Sequence, residues 1–578
     1  MILVLAIIGA APAAAVERHT KTAFRVPVTQ PDEVGGPVSL DVDVYLPKRR
    51  APRHGYPLVG FFHGGGSDKT NGFDAAHAAA VANRGFAAIL YSARGHGDSD
   101  GQITVAGPKE VRDGFDVLAW ALGIGGRDQP AHPDFDLDRR RIALAGYSQG
   151  GLHTNLLQAH VRDRSLNPYR IRFRALLPAN TPDLVYEALI QNAVLKLSFG
   201  IGLLQTYFVG GQGQVAPIVD KWIATAAADL PGLAGGRVCD HAEHDTETST
   251  MKSDLAVRSV GCFTRRMRLP SHWAQSFDDQ LFTADMGIRM WKRMPAGRRT
   301  NRLYLSMGGH GAPSADPSVE RRKFRAQVRF LRRHLRGRRA RPHRRSPGAR
   351  VVYWTRDPAV AVPADAYRYP KAAWHRHRAR NWPPARIRPR RFQLDAGGTL
   401  VRKGASAGTL PLAPFHFDEA SDPVASAAAS ATPLGTSIVT GLPATDSPGF
   451  VAAFETRPFR RAREMSGAPR AKLGFTPLSP DAQVVLKVFD RAPDGTLSLL
   501  GRGVKGMRGV TPLQDRHVGV SANHFSALIR RGHSILAWVT AADAFFYKPY
   551  PLSLGGVLEA GPSSTLKLPL GPRPRSGR

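Results

Sequence analysis

The feature that most constrains the fold is a strand, a tight turn and a helix packed into residues 141–160. Residues 142–145 are an apolar run without charge, as in a strand buried on both faces. The motif Gly-Tyr-Ser-Gln-Gly follows directly at 146–150, and apolar residues then recur at helical spacing. In this context the motif predicts a nucleophile elbow, whose strained serine needs glycine two residues before and after it. The sequence therefore predicts Ser148 as a nucleophile.

A second match to the same motif lies at 97–101 and contains Ser99. The residues that follow it include Gly107 and Pro108 and do not have the pattern of a helix beginning behind a turn. Ser99 is therefore rejected as the nucleophile.

A glycine run at 63–66, His-Gly-Gly-Gly, follows an apolar strand predicted at 56–62. Such a run lets backbone N–H groups face a substrate oxygen, as in an oxyanion hole. We expect the N–H of Gln149 and that of Gly64 or Gly65 to hold the oxyanion. A plain flexible loop is the alternative for this run.

Strands alternate with helices across the first half of the chain, which predicts an α/β fold with a parallel sheet. Loops after two later strands carry Asp279 and His310, in the order Ser, Asp, His of an α/β-hydrolase. Asp278 is the rival acid, because the register of the loop is uncertain by one residue. The sequence shows no metal-ligand cluster and no phosphate-binding loop, so we expect no cofactor.

In residues 179–262 the alternation of strands and helices stops, and the pattern predicts helices rich in apolar residues. Such an insertion is typical of a cap over an active site. Asp183 and Glu187 lie one helical turn apart at its start. A substrate with a free ammonium group needs a carboxylate in a confined pocket to bind it, and these two residues are the candidates. A solvated helix start is the alternative for each of them.

The sequence predicts four parts, with the catalytic domain at 21–336. Residues 1–20 resemble a signal peptide, or alternatively a buried strand, which favours a secreted or envelope-associated protein. Residues 337–350 read as a basic linker, and residues 351–570 as an all-β sandwich, since short alternating runs are separated by Gly and Pro turns.

The two cysteines, Cys239 and Cys262, allow one disulfide, although two unpaired thiols are the alternative. No stretch is long enough to span a membrane.

The net charge of +34 raises the question of polyanion binding. The basic residues are mostly arginines spread over the chain, with no nucleic-acid-binding signature beside them. We therefore interpret the charge as mostly solvated surface and expect no nucleic-acid partner.

Taken together, the motifs resemble the Xaa-Pro dipeptidyl-peptidase and cocaine-esterase family of serine hydrolases. The resemblance is carried by the stretches at 94–99, 146–151, 279–282 and 308–311 and, in the C-terminal half, at 381–384, 499–503 and 531–535. It implies an α/β-hydrolase core with a helical cap, a C-terminal jelly roll, and release of N-terminal dipeptides. A carboxylesterase or acylase acting on small esters or amides is the alternative.

The chain departs from the family at two points. Family members often carry a tyrosine in the first oxyanion loop, where this chain has the glycine run, and position 276 is Ser where relatives usually have Gly. These departures concern the substrate class. A non-enzymatic alternative, an envelope- or carbohydrate-binding protein with an inactive core, is disfavoured by the complete set Ser148, Asp279 and His310.

Overall fold

A computed structural model provides the structure of the chain. It describes residues 18–125, 134–196, 214–227, 239, 251–295, 300–307, 309–310, 317–335, 350–360, 373–414, 451–543 and 546–572. The predicted signal peptide and linker lie almost wholly outside these residues. Within them, no helix has both the length and the apolar character needed to cross a bilayer.

The first twelve strands build the N-terminal half. They are β1 His19–Val28, β2 Val38–Pro47, β3 Tyr56–Phe62, β4 Ala87–Tyr91, β5 Leu137–Tyr147, β6 Ala175–Ala179, β7 Ile190–Gln191, β8 Val194–Leu195, β9 His272–Ser276, β10 Arg302–Ser306, β11 Val351–Arg356 and β12 Trp374–Ala379. All but β7 and β8 form one sheet in the spatial order β1, β2, β4, β3, β5, β6, β9, β10, β11, β12. The pairs from β4 to β11 are parallel, so their carboxyl ends meet at one edge.

Helices cover both faces of this sheet. They are α1 Gly72–Ala82, α2 Pro108–Ala121, α3 Gln149–Ala159, α4 Val185–Leu189, α5 Pro217–Ala227, α6 Met251–Val257, α7 Ala284–Arg293 and α8 Pro317–Leu335. Apolar side chains of α1 and α8 pack on one face of the strands, and those of α2, α3 and α7 join the larger core on the other. The alternating strands and helices predicted from the sequence are thereby confirmed.

The inserted segment 179–262 is described only in part. It holds the short helix α4, the hairpin of β7 and β8, then α5 and α6, and a 3₁₀ helix Val260–Arg266. The expected run of helix after residue 184 is wrong at one point, since the chain turns into a two-stranded hairpin after Leu189. Asn192 and Ala193 have positive φ angles of 48° and 70° at its turn, which ends the helical pattern.

Twelve further strands form a β-rich C-terminal half. They are β13 Arg388–Asp395, β14 Thr399–Val401, β15 Gly408–Leu412, β16 Ala452–Glu455, β17 Arg463–Gly467, β18 Arg470–Pro477, β19 Ala482–Arg491, β20 Leu497–Met507, β21 Arg516–Ser521, β22 Phe525–Ile529, β23 Ser534–Thr540 and β24 Gly556–Pro572. The long strand β24 pairs with β13, β15, β17 and β18, while β19 pairs with β20 and β23. Asp494-Gly495 forms the hairpin turn between β19 and β20.

The two halves are joined through β11. Its first residues pair with β10 of the N-terminal sheet, and Arg356 at its end pairs with Ala527 of β22. On α7, the carboxylate of Asp285 accepts hydrogen bonds from the backbone N–H of His524 at 2.8 Å and pairs with its ring at 2.7 Å. The C-terminal half is therefore hydrogen-bonded directly to the helix that follows the loop of Asp279.

Candidate active site

Ser148 stands between β5 and α3 in a strained backbone conformation. Its φ of 57° and ψ of −123° lie in a region that serine rarely adopts. A Cβ on Gly146 would lie 2.1 Å from the carbonyl oxygen of Gly150, and one on Gly150 would lie 1.9 Å from that of Phe62. Only glycine fits at these two positions, so the elbow predicted from the sequence is confirmed.

The structure brings Ser148, His310 and Asp279 together. Ser148 Oγ lies 2.8 Å from His310 Nε2, and His310 Nδ1 lies 2.8 Å from Asp279 Oδ2. The three residues are 9%, 2% and 0% exposed. A carboxylate at Nδ1 holds the proton on that nitrogen, which leaves Nε2 free to accept the serine proton.

Asp279 is itself held in place by its loop. Its second oxygen, Oδ1, accepts the backbone N–H of Phe282 at 2.8 Å. The rival acid Asp278 is buried elsewhere, in the lining of a small cavity beside Arg356 and Gly501. The geometry therefore places Asp279, and not Asp278, on the imidazole.

The glycine run passes directly beside the serine. A Cβ on Gly64 would lie 3.5 Å from Ser148 Cβ, and Gly65 is the next residue of the same loop. Gln149 is the first residue of α3, where backbone N–H groups have no partner within the helix. The predicted oxyanion residues Gln149 and Gly64 are thus both adjacent to Ser148 in the structure.

The side chain of His63 orients this loop. Its Nε2 accepts the backbone N–H of Ala93 at 2.8 Å, so Nδ1 carries the proton and donates to the carbonyl of Gly64 at 2.7 Å. Burial and the neighbouring His96 lower the pKa of His63 to about 3, which keeps the ring uncharged at neutral pH. Since the N–H of a trans peptide points opposite to its C=O, this contact also fixes the direction of the Gly65 N–H.

Asn180 ties three parts of the site together, and the sequence analysis did not identify it. Its Nδ2 donates to the carbonyl of Gly309 at 3.0 Å, and lies 3.1 Å from Ser276 Oγ and 3.2 Å from the hydroxyl of Tyr147. The available signal was an Asn directly after the apolar run of β6, because Asn tolerates the positive φ of 41° that the chain adopts there. Ser276, which departs from the family pattern, is therefore part of this network.

Asp183 and Glu187 are brought together, but on a basic side chain. Arg289 on α7 donates to both carboxylate oxygens of Asp183, with its Nη2 at 2.6 Å from Oδ1, and to Glu187 at 2.6 Å. Asp183 is fully buried, and its carboxylate is neutralised by this bidentate pair. The prediction that Asp183 offers a free carboxylate to a substrate ammonium is wrong for this reason, and Glu187 shares the same cation.

The rejected serine has a structural role. Ser99 Oγ donates to the carbonyl of Ser92 at 2.7 Å and accepts the N–H of Asp41 at 2.9 Å. In the same loop Arg94 donates to the carboxylate of Asp113 on α2, at 2.7 Å through two nitrogens. Cys239 and Cys262 form a disulfide. Among the described residues no group of His, Cys, Asp or Glu is arranged to hold a metal ion.

Two family models match the chain. The X-Pro dipeptidyl-peptidase (S15 family) model matches residues 35–168, and the X-Pro dipeptidyl-peptidase C-terminal non-catalytic domain model matches residues 348–547. Together they match more than half of the chain. The chain belongs to the X-Pro dipeptidyl-peptidase (S15) family of serine hydrolases. It is therefore an enzyme, and Ser148 lies within the part matched by the family's catalytic model.

Solved structures similar over nearly the full length agree with this X-Pro dipeptidyl-peptidase and cocaine-esterase fold. A CocE/NonD family hydrolase from Staphylococcus aureus has a TM-score of 0.65 at 12% identity, covering 95% of this chain and 96% of its own. An α-amino acid ester hydrolase has a TM-score of 0.67 at 14% identity, covering 98% and 99%. An aminopeptidase from a marine sediment Thaumarchaeota archaeon has a TM-score of 0.65 at 14% identity, covering 94% of each chain. No curated protein matches the sequence.

Proposed function

We propose that Ser148 attacks the carbonyl carbon of an ester or amide and forms an acyl-enzyme. The observation that carries the proposal is the continuous chain of two 2.8 Å hydrogen bonds from Ser148 Oγ through His310 to Asp279. His310 takes the serine proton as the bond to carbon forms and returns it to the leaving group. Water then attacks the acyl carbon, His310 takes its proton and returns it to Ser148 Oγ as the acyl–oxygen bond breaks, and the acid is released.

The negative charge of the tetrahedral intermediate falls on the carbonyl oxygen. We propose that the N–H of Gln149 and one N–H of the Gly64-Gly65 loop hold it, each worth about 3 kcal/mol. The His63 ring supports this role, because its hydrogen bond to the carbonyl of Gly64 orients the loop. The beginning of α3 adds the favourable field of a helix N-terminus.

For the substrate, we propose small acyl compounds, either short esters or amides. Asp183 and Glu187 both form ion pairs with Arg289, so neither carboxylate is free to bind an ammonium. These ion pairs favour esters and N-blocked amides as substrates. Release of N-terminal dipeptides is the second candidate. It is supported by the name of the family model over residues 35–168 and by the names of the similar amino-acid ester hydrolase and aminopeptidase.

Three further features stay proposals. We propose that the segment 179–262 covers the site as a cap, supported by the backbone hydrogen bond of Gly261 to Asp183 at 2.7 Å at its base. We propose a jelly-roll arrangement for the C-terminal strands. An oxidising, extracytoplasmic location is supported by the disulfide of Cys239 and Cys262.

A fluorophosphonate probe tests the proposed nucleophile, because it labels only an activated serine. We expect the wild type and Ser99→Ala to be labelled and Ser148→Ala to be unlabelled at an unchanged melting temperature. Esters, N-blocked amides and free-amine Xaa-Pro amides then separate the substrate classes. Labelling that persists in Ser148→Ala contradicts the assignment of the nucleophile, and a strict requirement for a free amine favours the dipeptidyl-peptidase.

A further inference from the structure

Lys196 is a fully buried lysine behind the loop that carries Asp279. It directly follows β8 and is 0% exposed. Its Nζ donates to the carbonyls of Gln280 at 2.9 Å and of Leu281 at 3.0 Å. These are the two residues that follow Asp279, so the ammonium group holds the backbone of the acid loop from behind.

The ammonium has no close counter-ion among the described residues. None of their ion pairs within 4.0 Å includes Lys196, and the charged groups that face it from further away are Asp279, Glu187 and Asp285. Burial lowers the pKa of Lys196 to about 8, although these three carboxylates act in the opposite direction. The lysine is thus mostly charged at pH 7, with backbone carbonyls as its partners, and this is an expensive arrangement for a purely structural side chain.

Lys196 is also held on its other side. Its backbone N–H donates to the carbonyl of Leu189 at 2.8 Å, and it forms an isolated bridge with Tyr547 of the C-terminal half. The neighbouring apolar side chains form one buried cluster with this part of the acid loop: Ala188, Val194, Leu281, Phe282, Met286, Val485, Val504, Phe546, Tyr547 and Tyr550. The lysine therefore links the acid loop to the insertion and to the C-terminal strands.

We propose that Lys196 is a positioning residue for catalysis, which fixes the acid loop and places a positive charge behind Asp279. The two hydrogen bonds set the backbone that aims Asp279 at His310. Removing this positive charge should favour the imidazolium of His310, which is paired with Asp279, and this change is what the test measures. The inference rests on the proposed role of Asp279.

The test measures the rate of fluorophosphonate labelling against pH. For Lys196→Met we expect labelling at neutral pH to fall about tenfold or more, and the acid-side midpoint of the profile to move up by about half a pH unit or more. Lys196→Arg, which keeps the charge, should return the midpoint towards the wild type. Where Lys196→Met does not fold, Lys196→Gln removes the charge but keeps a donor, and the same upward shift is expected.

Lys487→Met is the matched control, because Lys487 is as deeply buried as Lys196. Its partner Asp543 also pairs with Arg502 at 3.3 Å, so Asp543 retains a cationic partner in this variant. We expect the control to leave the acid-side midpoint unchanged. A fall in labelling without movement of the midpoint in the Lys196 variants, or an equal movement in the control, overturns the proposal. A wild type that is not labelled at all contradicts the proposed function instead, so the two failures are distinguishable.

Discussion

Glu110 Oε2 accepts a 2.8 Å hydrogen bond from His153 Nε2 in the interior behind the nucleophile. The same oxygen lies 3.3 Å from Gln149 Nε2, and Oε1 accepts the N–H of Thr104 at 2.7 Å. Burial alone would raise the pKa of Glu110, but the bonds from His153 and Thr104 hold it well below its usual range. One carboxylate on α2 thereby anchors the first turns of α3, which contain the proposed oxyanion donor Gln149.

Glu110→Gln should therefore destabilise the protein and reduce its activity. We expect a loss of about 3 kcal/mol in the free energy of unfolding at pH 7, because buried donors lose a charged acceptor. A carboxylate with a lowered folded-state pKa stabilises fully above its unfolded value near 4.3 and loses this contribution as the pH falls further. Urea unfolding at pH 7 and pH 4 should show the difference from wild type shrinking at the lower pH. Glu33→Gln, at the partly exposed pair with Lys109, should cost less than about 1 kcal/mol at either pH.

Asp279→Asn should lower kcat by about three to four orders of magnitude, because the imidazole loses the carboxylate that fixes its tautomer. Asp278→Asn is the neighbouring control, since its side chain lies against a separate cavity. Turnover of a short ester and the melting temperature of each variant give the comparison. A greater loss of kcat in Asp278→Asn would mean that the acid is assigned to the wrong residue.

Asp183→Asn should act on stability and not on substrate choice. Arg289 pairs with both Asp183 and Glu187. Because Asp183 is fully buried, loss of its pair with Arg289 should lower the free energy of unfolding by about 3 kcal/mol. Glu187→Gln should cost less, because the Glu187 side chain is 37% exposed. The ratio of kcat/KM for free-amine and N-blocked substrates should be unchanged in both variants. A selective loss of the free-amine substrate would restore Asp183 as an ammonium anchor.

Asp74→Asn should stabilise the protein at alkaline pH. Burial raises the pKa of Asp74 to about 7, whereas an unfolded aspartate titrates near 3.9. A raised pKa gives full stability below the unfolded value, and this stability is lost as the pH rises through the folded value. The variant should exceed the wild type by at most on the order of 4 kcal/mol at pH 8 and match it near pH 4. Melting temperatures across this range measure the effect, and the exposed Asp98→Asn should show no pH-dependent difference.

Local patterns in the sequence were sufficient for the elements around the nucleophile. The strand predicted at 56–62 coincides with β3, and the helix predicted behind the turn at 146–150 is α3, which begins at Gln149. β5 begins five residues earlier than the predicted strand, because its polar start pairs at Leu137 with Tyr56 before the apolar run begins. The spacing of the apolar residues therefore predicted where these strands and helices lie, but not the residue at which β5 begins.

Partners distant in the chain were not predictable from spacing. Asp183 and Arg289 are 106 residues apart, and Lys196 lies 84 residues before the carbonyl that it binds. The spacing of Asp183 and Glu187 predicted a shared helix face, but Asp183 precedes α4, and the spacing does not indicate which cation the two carboxylates meet. Asn180 and Glu110 are likewise defined by contacts that the fold alone brings together.

The shared strand β11 has a consequence for how such enzymes change over evolutionary time. It pairs with β10 from Val351 and with β22 at Arg356, so strands of both halves of the protein are paired with this one strand. Recombination that exchanged the C-terminal half would have to supply a new hydrogen-bonding partner for Arg356 and a new donor for Asp285. We expect the two halves to be inherited together and to diversify as a single lineage.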